Sequence, residues 1–315
     1  MGFDFDAAVR SPFRMAPGLR RLASGQHQLT PNAPASPHLI EKLAALHEHA
    51  DRVLLATADF DPVPALRRLA GQAAAEHPQA FFFDATVASA VMLGVGLQGD
   101  EPVGLPAADP GVAAAALALL RRLPAPWRLP ALLALTFAED LAIVDARQAR
   151  IPWLAVAMPS HWAPEEKVGR HFAQVHAPVA DNTLLVGAAE ALTRLVSGSE
   201  RWERFVWTVT PQPCLNAHPH SAARVAWRAG DDEAVAAQAW WRTERQTFIP
   251  LPELQQAVFT ILVEVEPLSK AIDSPQRARR LHDALATMSP AVLRYRGLEG
   301  VRDPLLRWLA TRAAS

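Results

Sequence analysis

At about Ile151 the apolar residues change period, and that change restricts the chain to folds that join a helical portion to a sheet. Before it, Pro37–His49, Val63–His77 and Gly111–Leu123 repeat apolar residues at helical spacing, with Pro or Gly at their ends. A further helix is expected over Leu129–Glu139, leading into a short strand at Asp140–Asp145. Beyond Ile151, the segments Trp153–Met158, Phe205–Thr210, Trp240–Phe248 and Ala257–Val265 read as strands. Between them lie a short helix starting at Pro164 and a longer one over Asp181–Val196, and Pro275–Met288 forms a last helix with an exposed basic face. This order predicts an α+β fold whose sheet curls around a ligand, not a regular βαβ repeat. Residues 1–128 form a helix-rich portion packed on a core of residues 129–315, together one compact unit.

Half of the 315 residues are hydrophobic and a fifth are charged, the balance of a globular protein. The net charge of -1 supplies no field that would draw the chain to nucleic acid or an anionic membrane. The one cysteine, Cys214, excludes an internal disulfide and any Cys-rich zinc or iron–sulfur cage, so a bound metal must use nitrogen or oxygen ligands. Met1–Arg10 carries Asp4 and Asp6 and no apolar run, which points away from a secretory signal and towards the cytoplasm. The aliphatic stretch Gly111–Leu120 is about half the roughly 20 residues that a membrane span needs, and reads as a buried helix.

Gly94-Val-Gly96-Leu-Gln-Gly99 imitates a dinucleotide fingerprint, but its third glycine falls one position late. Ser160 beside His161 lacks a nucleophile elbow. Histidine carries more information, because neutral imidazole is the commonest ligand for haem iron and for non-haem metals. His27, His38, His47, His49 and His77 lie in the helical or loop-rich first half and read as solvated surface residues. His161, His171 and His176 flank a distinctive block, although their spacing matches no standard metal motif. His218 and His220 are able to join His176 and a carboxylate as a non-haem iron site. In Trp241–Thr247 strand alternation puts Arg242, Glu244 and Gln246 on one face, with Trp241, Thr243, Arg245 and Thr247 on the other. Such polar groups need buried partners, a haem propionate among them, or else belong to a solvated edge strand. Trp162, Trp207, Trp227, Trp240 and Trp241 either wall a flat cofactor or fill the core.

Several segments together resemble the haem-dependent oxidative N-demethylase α-subunit family. They are Ser11-Pro-Phe-Arg14-Met-Ala-Pro-Gly18-Leu-Arg20, Glu139-Asp140-Leu, Pro159-Ser-His-Trp162 with Glu166-Lys167-Val-Gly169, and Val175-His176-Ala-Pro178-Val. Glu244-Arg245-Gln246-Thr247, Leu251-Pro252, Phe259-Thr-Ile261 and Tyr295-Arg-Gly297-Leu extend the resemblance over nearly the whole chain.

The resemblance implies a PAS-like sheet and helices around haem b. A separate flavin and iron–sulfur reductase would supply electrons, and a small secondary amine would be demethylated with dioxygen. By matching position, His176 is the implied axial ligand, and Pro178 stiffens the backbone presenting it. Lys167 and Arg245 are candidates for propionate or pocket contacts, Trp162 and Asn216 for the cofactor pocket, and Glu244 for a polar group near the substrate. The chain departs from the family pattern at Cys214-Leu-Asn216-Ala217, where an arginine precedes an Asn-Trp pair, and at Pro250, where an arginine precedes Leu-Pro. These changes bear on the substrate, not on the haem. Two other readings stand beside this one: a PAS-type haem or small-ligand sensor without turnover, and the non-haem iron site.

Overall fold

In the computed structural model, which describes residues 3–220 and 225–314, two antiparallel sheets organise the chain. The strands in chain order are β1 (Arg20–Arg21), β2 (Leu54–Ala56), β3 (Phe81–Phe83), β4 (Val87–Ala90), β5 (Val95–Gln98) and β6 (Glu101–Gly104). They continue with β7 (Asp140–Asp145), β8 (Arg150–Ala155), β9 (Trp202–Thr210), β10 (Trp240–Leu251) and β11 (Gln256–Pro267). The large sheet runs β1-β9-β10-β11-β7-β8-β2 and the small one β3-β4-β5-β6. The class is therefore α+β, as the change of period predicts.

The long strands form where β-branched and aromatic residues alternate, and β10 and β11 pair over their full lengths from Trp240↔Pro267 to Leu251↔Gln256. Strand β10 lies between β9 and β11 with residues of both faces buried, so the edge-strand reading does not hold. Strand β8 stops at Ala155, earlier than expected, because the next amides turn to a side chain: Ala157 and Met158 donate to the Asp140 carboxylate at 3.0 and 2.7 Å.

The first half is less helical than its composition suggests, since β3–β6 form a complete small sheet there. Its strands are short and rich in Ala and Gly, which carry little strand propensity. The dinucleotide look-alike proves to be β5 and its flanking turns. Gly94 has φ +69 and Gly99 φ +59, and a Cβ on Gly94 would lie 2.3 Å from that of Ala107. The expected helix over 181–196 is broken in two, Thr183–Gly187 and Ala189–Val196, at Ala188 (φ -101, ψ 10).

One apolar cluster runs from Leu29 through Leu133 and Trp153 to Val263, so the first-half helices and the large sheet share a core. A second joins the C-terminal helices to Phe5, Trp207 and Trp241. There Arg296 stacks over Phe13 and Trp207 at 4.7 and 5.0 Å from the ring centres. Two motifs from opposite ends of the sequence thus meet in space. Among the described residues, no helix is long and apolar enough to cross a membrane.

Candidate functional site

The segment between β8 and β9 builds the site from backbone outward. Ile151 and Gly169 exchange ladder-like bonds (Ile151 N–H to Arg170 O, 3.2 Å; Gly169 N–H to Ile151 O, 2.7 Å), and Phe172 donates to Ala149 O. This stitching fixes the start of the short helix Phe172–His176, where His171 and Gln174 form a reciprocal cap. The Lys167 ammonium donates to Val175 O at 3.1 Å, and Asn182 donates to the carbonyls of His176 and Ala177, holding the far end. His176 is therefore presented by a helix anchored at both ends.

The protonation of His176 follows from its partner. Its Nδ1 lies 2.9 Å from Phe172 O, and because a carbonyl only accepts, the proton sits on Nδ1 and the lone pair on Nε2. Burial above all, with smaller contributions from the nearby charges of Arg204 and Lys167 and against the hydrogen bond to Phe172, pushes the imidazole down to about 4, so it is neutral at physiological pH. His171 differs, since its Nδ1 is occupied by the Ala173 amide.

Beneath this segment lies one face of the large sheet. Trp162, Val168 and Val175 pack with Phe259 on Ala142, Leu154 and Val156, and Val196 packs on Val144 and Phe248. Further along, β9 sets Arg204 opposite Gln246 and Val206 opposite Glu244. These side chains share the face of Phe248 and Phe259, whose rings stack at 4.8 Å. Arg204, Val206 and Gln246 are only partly buried, so the roof over β7 and β8 is incomplete over β9 and β10, and this partly exposed stretch of the face is the candidate recess.

A polar chain crosses this face. The Ser160 hydroxyl donates to Glu244 Oε1, Gln246 donates to Glu244 Oε2 at 2.5 Å, and Arg242 Nε donates to Ser160 at 2.8 Å. Arg242, 1 % exposed, directs its remaining donors at the carbonyls of Pro159, Cys214 and Leu215, tying the 158–160 turn to the 214–217 loop. Asn216 belongs to that loop, where its side chain accepts from the His218 amide at 3.0 Å. The structure thus brings His176, Lys167 and Trp162 together above the sheet and sets Glu244 on the face below. Asn216 stands behind Ser160, which bridges to Ala217.

Arg245 lies elsewhere. It is on the opposite face, ion-paired with Glu203 at 3.1 Å and donating to His27 O at 3.1 Å. Its guanidinium is engaged by the protein. Two first-half histidines are also not free at the surface, since His38 meets Val263 O and His77 meets Leu29 O, both at 2.7 Å. The acidic dipeptide Glu139-Asp140 serves the core: Lys42, fully buried, donates to the Phe137 and Glu139 carbonyls and lies 3.7 Å from Asp140. Burial lowers the Lys42 ammonium from its ordinary value, and the two carboxylates oppose that shift.

The non-haem alternative has a partial counterpart. Potential ligand atoms of Glu165, His218 and His220 lie within 4.8 Å of one another, and His176 is not among them. His218 Nδ1 accepts from the His220 amide at 3.1 Å, so its proton is on Nε2, facing Glu165 at 3.1 Å. That nitrogen is a hydrogen-bond donor here, whereas a metal ligand needs its lone pair.

Sequence reasoning missed Arg204, Ser160 and Arg242 as site residues. Alternation singled out the correct face of β10, but only the register with β9 shows that Arg204 shares it. Residues 119–306, which include this whole arrangement, match the family described as haem-dependent oxidative N-demethylase, alpha subunit-like, and the chain belongs to that family.

Proposed function

We propose that this protein holds haem b against the recess with His176 as axial ligand and uses it to oxidise a small amine at the carbon beside nitrogen. The observation that carries this reading is the His176 tautomer: Nδ1–H is bound to Phe172 O, so Nε2 keeps the lone pair that iron requires. The donor set fits the group, with a neutral imidazole next to a wall of Trp162, Val175 and Phe259 and no thiolate nearby. When bound, haem would supply activation of dioxygen with electrons from a separate flavin and iron–sulfur reductase.

The chain's own residues then have distinct tasks. Lys167 and the His171–Gln174 cap hold the helix that presents His176. Trp162, Val175 and Phe259 form an apolar wall that would keep water from the bound group. Glu244 holds the substrate ammonium or takes its proton, so that the free amine is the species oxidised. Ser160 and Gln246 keep the Glu244 carboxylate in place, and Arg242 keeps Ser160 in place. Asn216 stabilises the loop that Arg242 grips. Oxidation of the carbon beside nitrogen gives a hemiaminal, which collapses to amine and aldehyde. A PAS-like description of the curled sheet belongs to the same proposal.

The test is spectroscopic. Protein expressed with haem precursor should show a stoichiometric Soret band that shifts on reduction under carbon monoxide, and His176→Ala should lose normal ligation. An unchanged spectrum in that variant moves the ligand to another histidine. Wild-type protein that takes up no porphyrin overturns the reading. Oxygen consumption and aldehyde release with secondary amines and a reductase separate an oxygenase from a sensor.

A further inference from the structure

Arg204 presents a donor that the protein does not use. Its Nε is buried and has no hydrogen-bond partner, and no carboxylate lies within ion-pair distance of the guanidinium among the described residues. Two residues earlier on the same face of β9, the indole Nε1–H of Trp202 is likewise buried without an acceptor. Side chains two apart on a strand stand roughly 6–7 Å from one another, so two adjacent donors on this face have nothing to receive them.

Such groups are costly. A buried N–H without an acceptor gives up its hydration and gains no bond in return, and a guanidinium with no counter-ion beside it adds to that cost. The arginines of the neighbouring strand β10 answer that cost directly. Arg245, one position from Glu244, has Glu203, and Arg242 has five oxygens around it. Glu244 is the one acidic group whose charge reaches Arg204, and both its oxygens are already taken by Ser160 and Gln246.

We infer that Arg204, assisted by the Trp202 indole, binds a carboxylate, and that this carboxylate is a propionate of the porphyrin. The assignment rests on the haem reading above and extends it. Carboxylate chemistry is what these two donors specify: a guanidinium edge and an indole N–H only donate, and a carboxylate accepts from both. The porphyrin is the source because Arg204 stands on the same face as the His176 roof, close enough for its charge to act on His176. Arg245, turned to the opposite face and paired, does not serve this role.

Titration of the apo-protein with haem and with the iron porphyrin dimethyl ester, followed by the Soret band, tests the assignment without recourse to activity. Wild type should bind haem about tenfold or more tightly than the diester, the scale of one charge-assisted contact. Arg204→Leu should lose that preference while binding the diester as wild type does, which also shows that its pocket is folded. Arg204→Lys should keep part of the preference. If Arg204→Leu does not fold, Arg204→Gln carries the same comparison. Wild type that takes up neither porphyrin overturns the haem reading itself. Wild type that binds haem and diester equally overturns only the propionate assignment, as does an unchanged preference in the Arg204 variant.

Discussion

On one face of β10, Arg245 meets Glu203 and the His27 carbonyl, and Thr247 meets Thr260 at 2.7 Å and Gln28 at 3.0 Å. On the other, Glu244 is held between Ser160 and Gln246, while Arg204 across the ladder has a buried Nε with no acceptor. The two faces share the same strands and twist. They differ in whether the protein supplies the counter-charge. Where it does, the charged pair connects segments distant in sequence. Where it does not, the propionate proposed above would supply it. A paired arginine on β10 and an unpaired one on β9 thus distinguish the two faces.

The comparison breaks most completely at His176. His176→Ala should abolish normal haem ligation and with it all turnover, read from the reduced carbon monoxide spectrum and oxygen uptake, while near-native circular dichroism shows that the fold survives. Next in size is Glu244→Gln. Removing a proton acceptor or counter-ion from the recess should lower kcat/KM for amine oxidation roughly 10²- to 10⁴-fold, with the haem spectrum retained. Equal loss of haem in this variant would instead assign Glu244 to the scaffold.

On the opposite face, Glu203→Ala strands a buried Arg245 that is 4 % exposed, and should cost about 3–5 kcal/mol in denaturant unfolding. A loss under 1 kcal/mol would show that Arg245 finds water or another acceptor, and the contrast between the faces would fail. The smallest effect is the most discriminating. Arg204→Leu should leave the apo-protein as stable as wild type, or up to about 2 kcal/mol more stable, because it removes an unpaired buried charge. Marked destabilisation would place Arg204 in the scaffold with Arg245.

The β10 alternation, readable over Trp241–Thr247, correctly divided Glu244 from Arg245, yet both were expected at the pocket because both lie in one matching motif. A motif keeps scaffold and site residues alike, since both are needed for the fold to present its chemistry. The His161–His176 block drew attention through its residue types, but the tautomer of His176 depends on a hydrogen bond to Phe172 O, which spacing alone does not report. The small sheet was missed because Val87-Ala-Ser-Ala90 and Val95-Gly-Leu-Gln98 are too short and too poor in β-branched residues to stand out before they pair.

By itself the sequence determined the family, the α+β class and the long paired strands, because periodicity and motif order are local properties of the chain. Only the tertiary structure decided which arginine is paired and which is not. Arg245 and Glu203 are 42 residues apart, and Arg204 and Gln246 equally far, so their relation is a matter of strand register. A register shifted by one residue would turn β9 over, moving Glu203 away from Arg245 and Arg204 away from the recess.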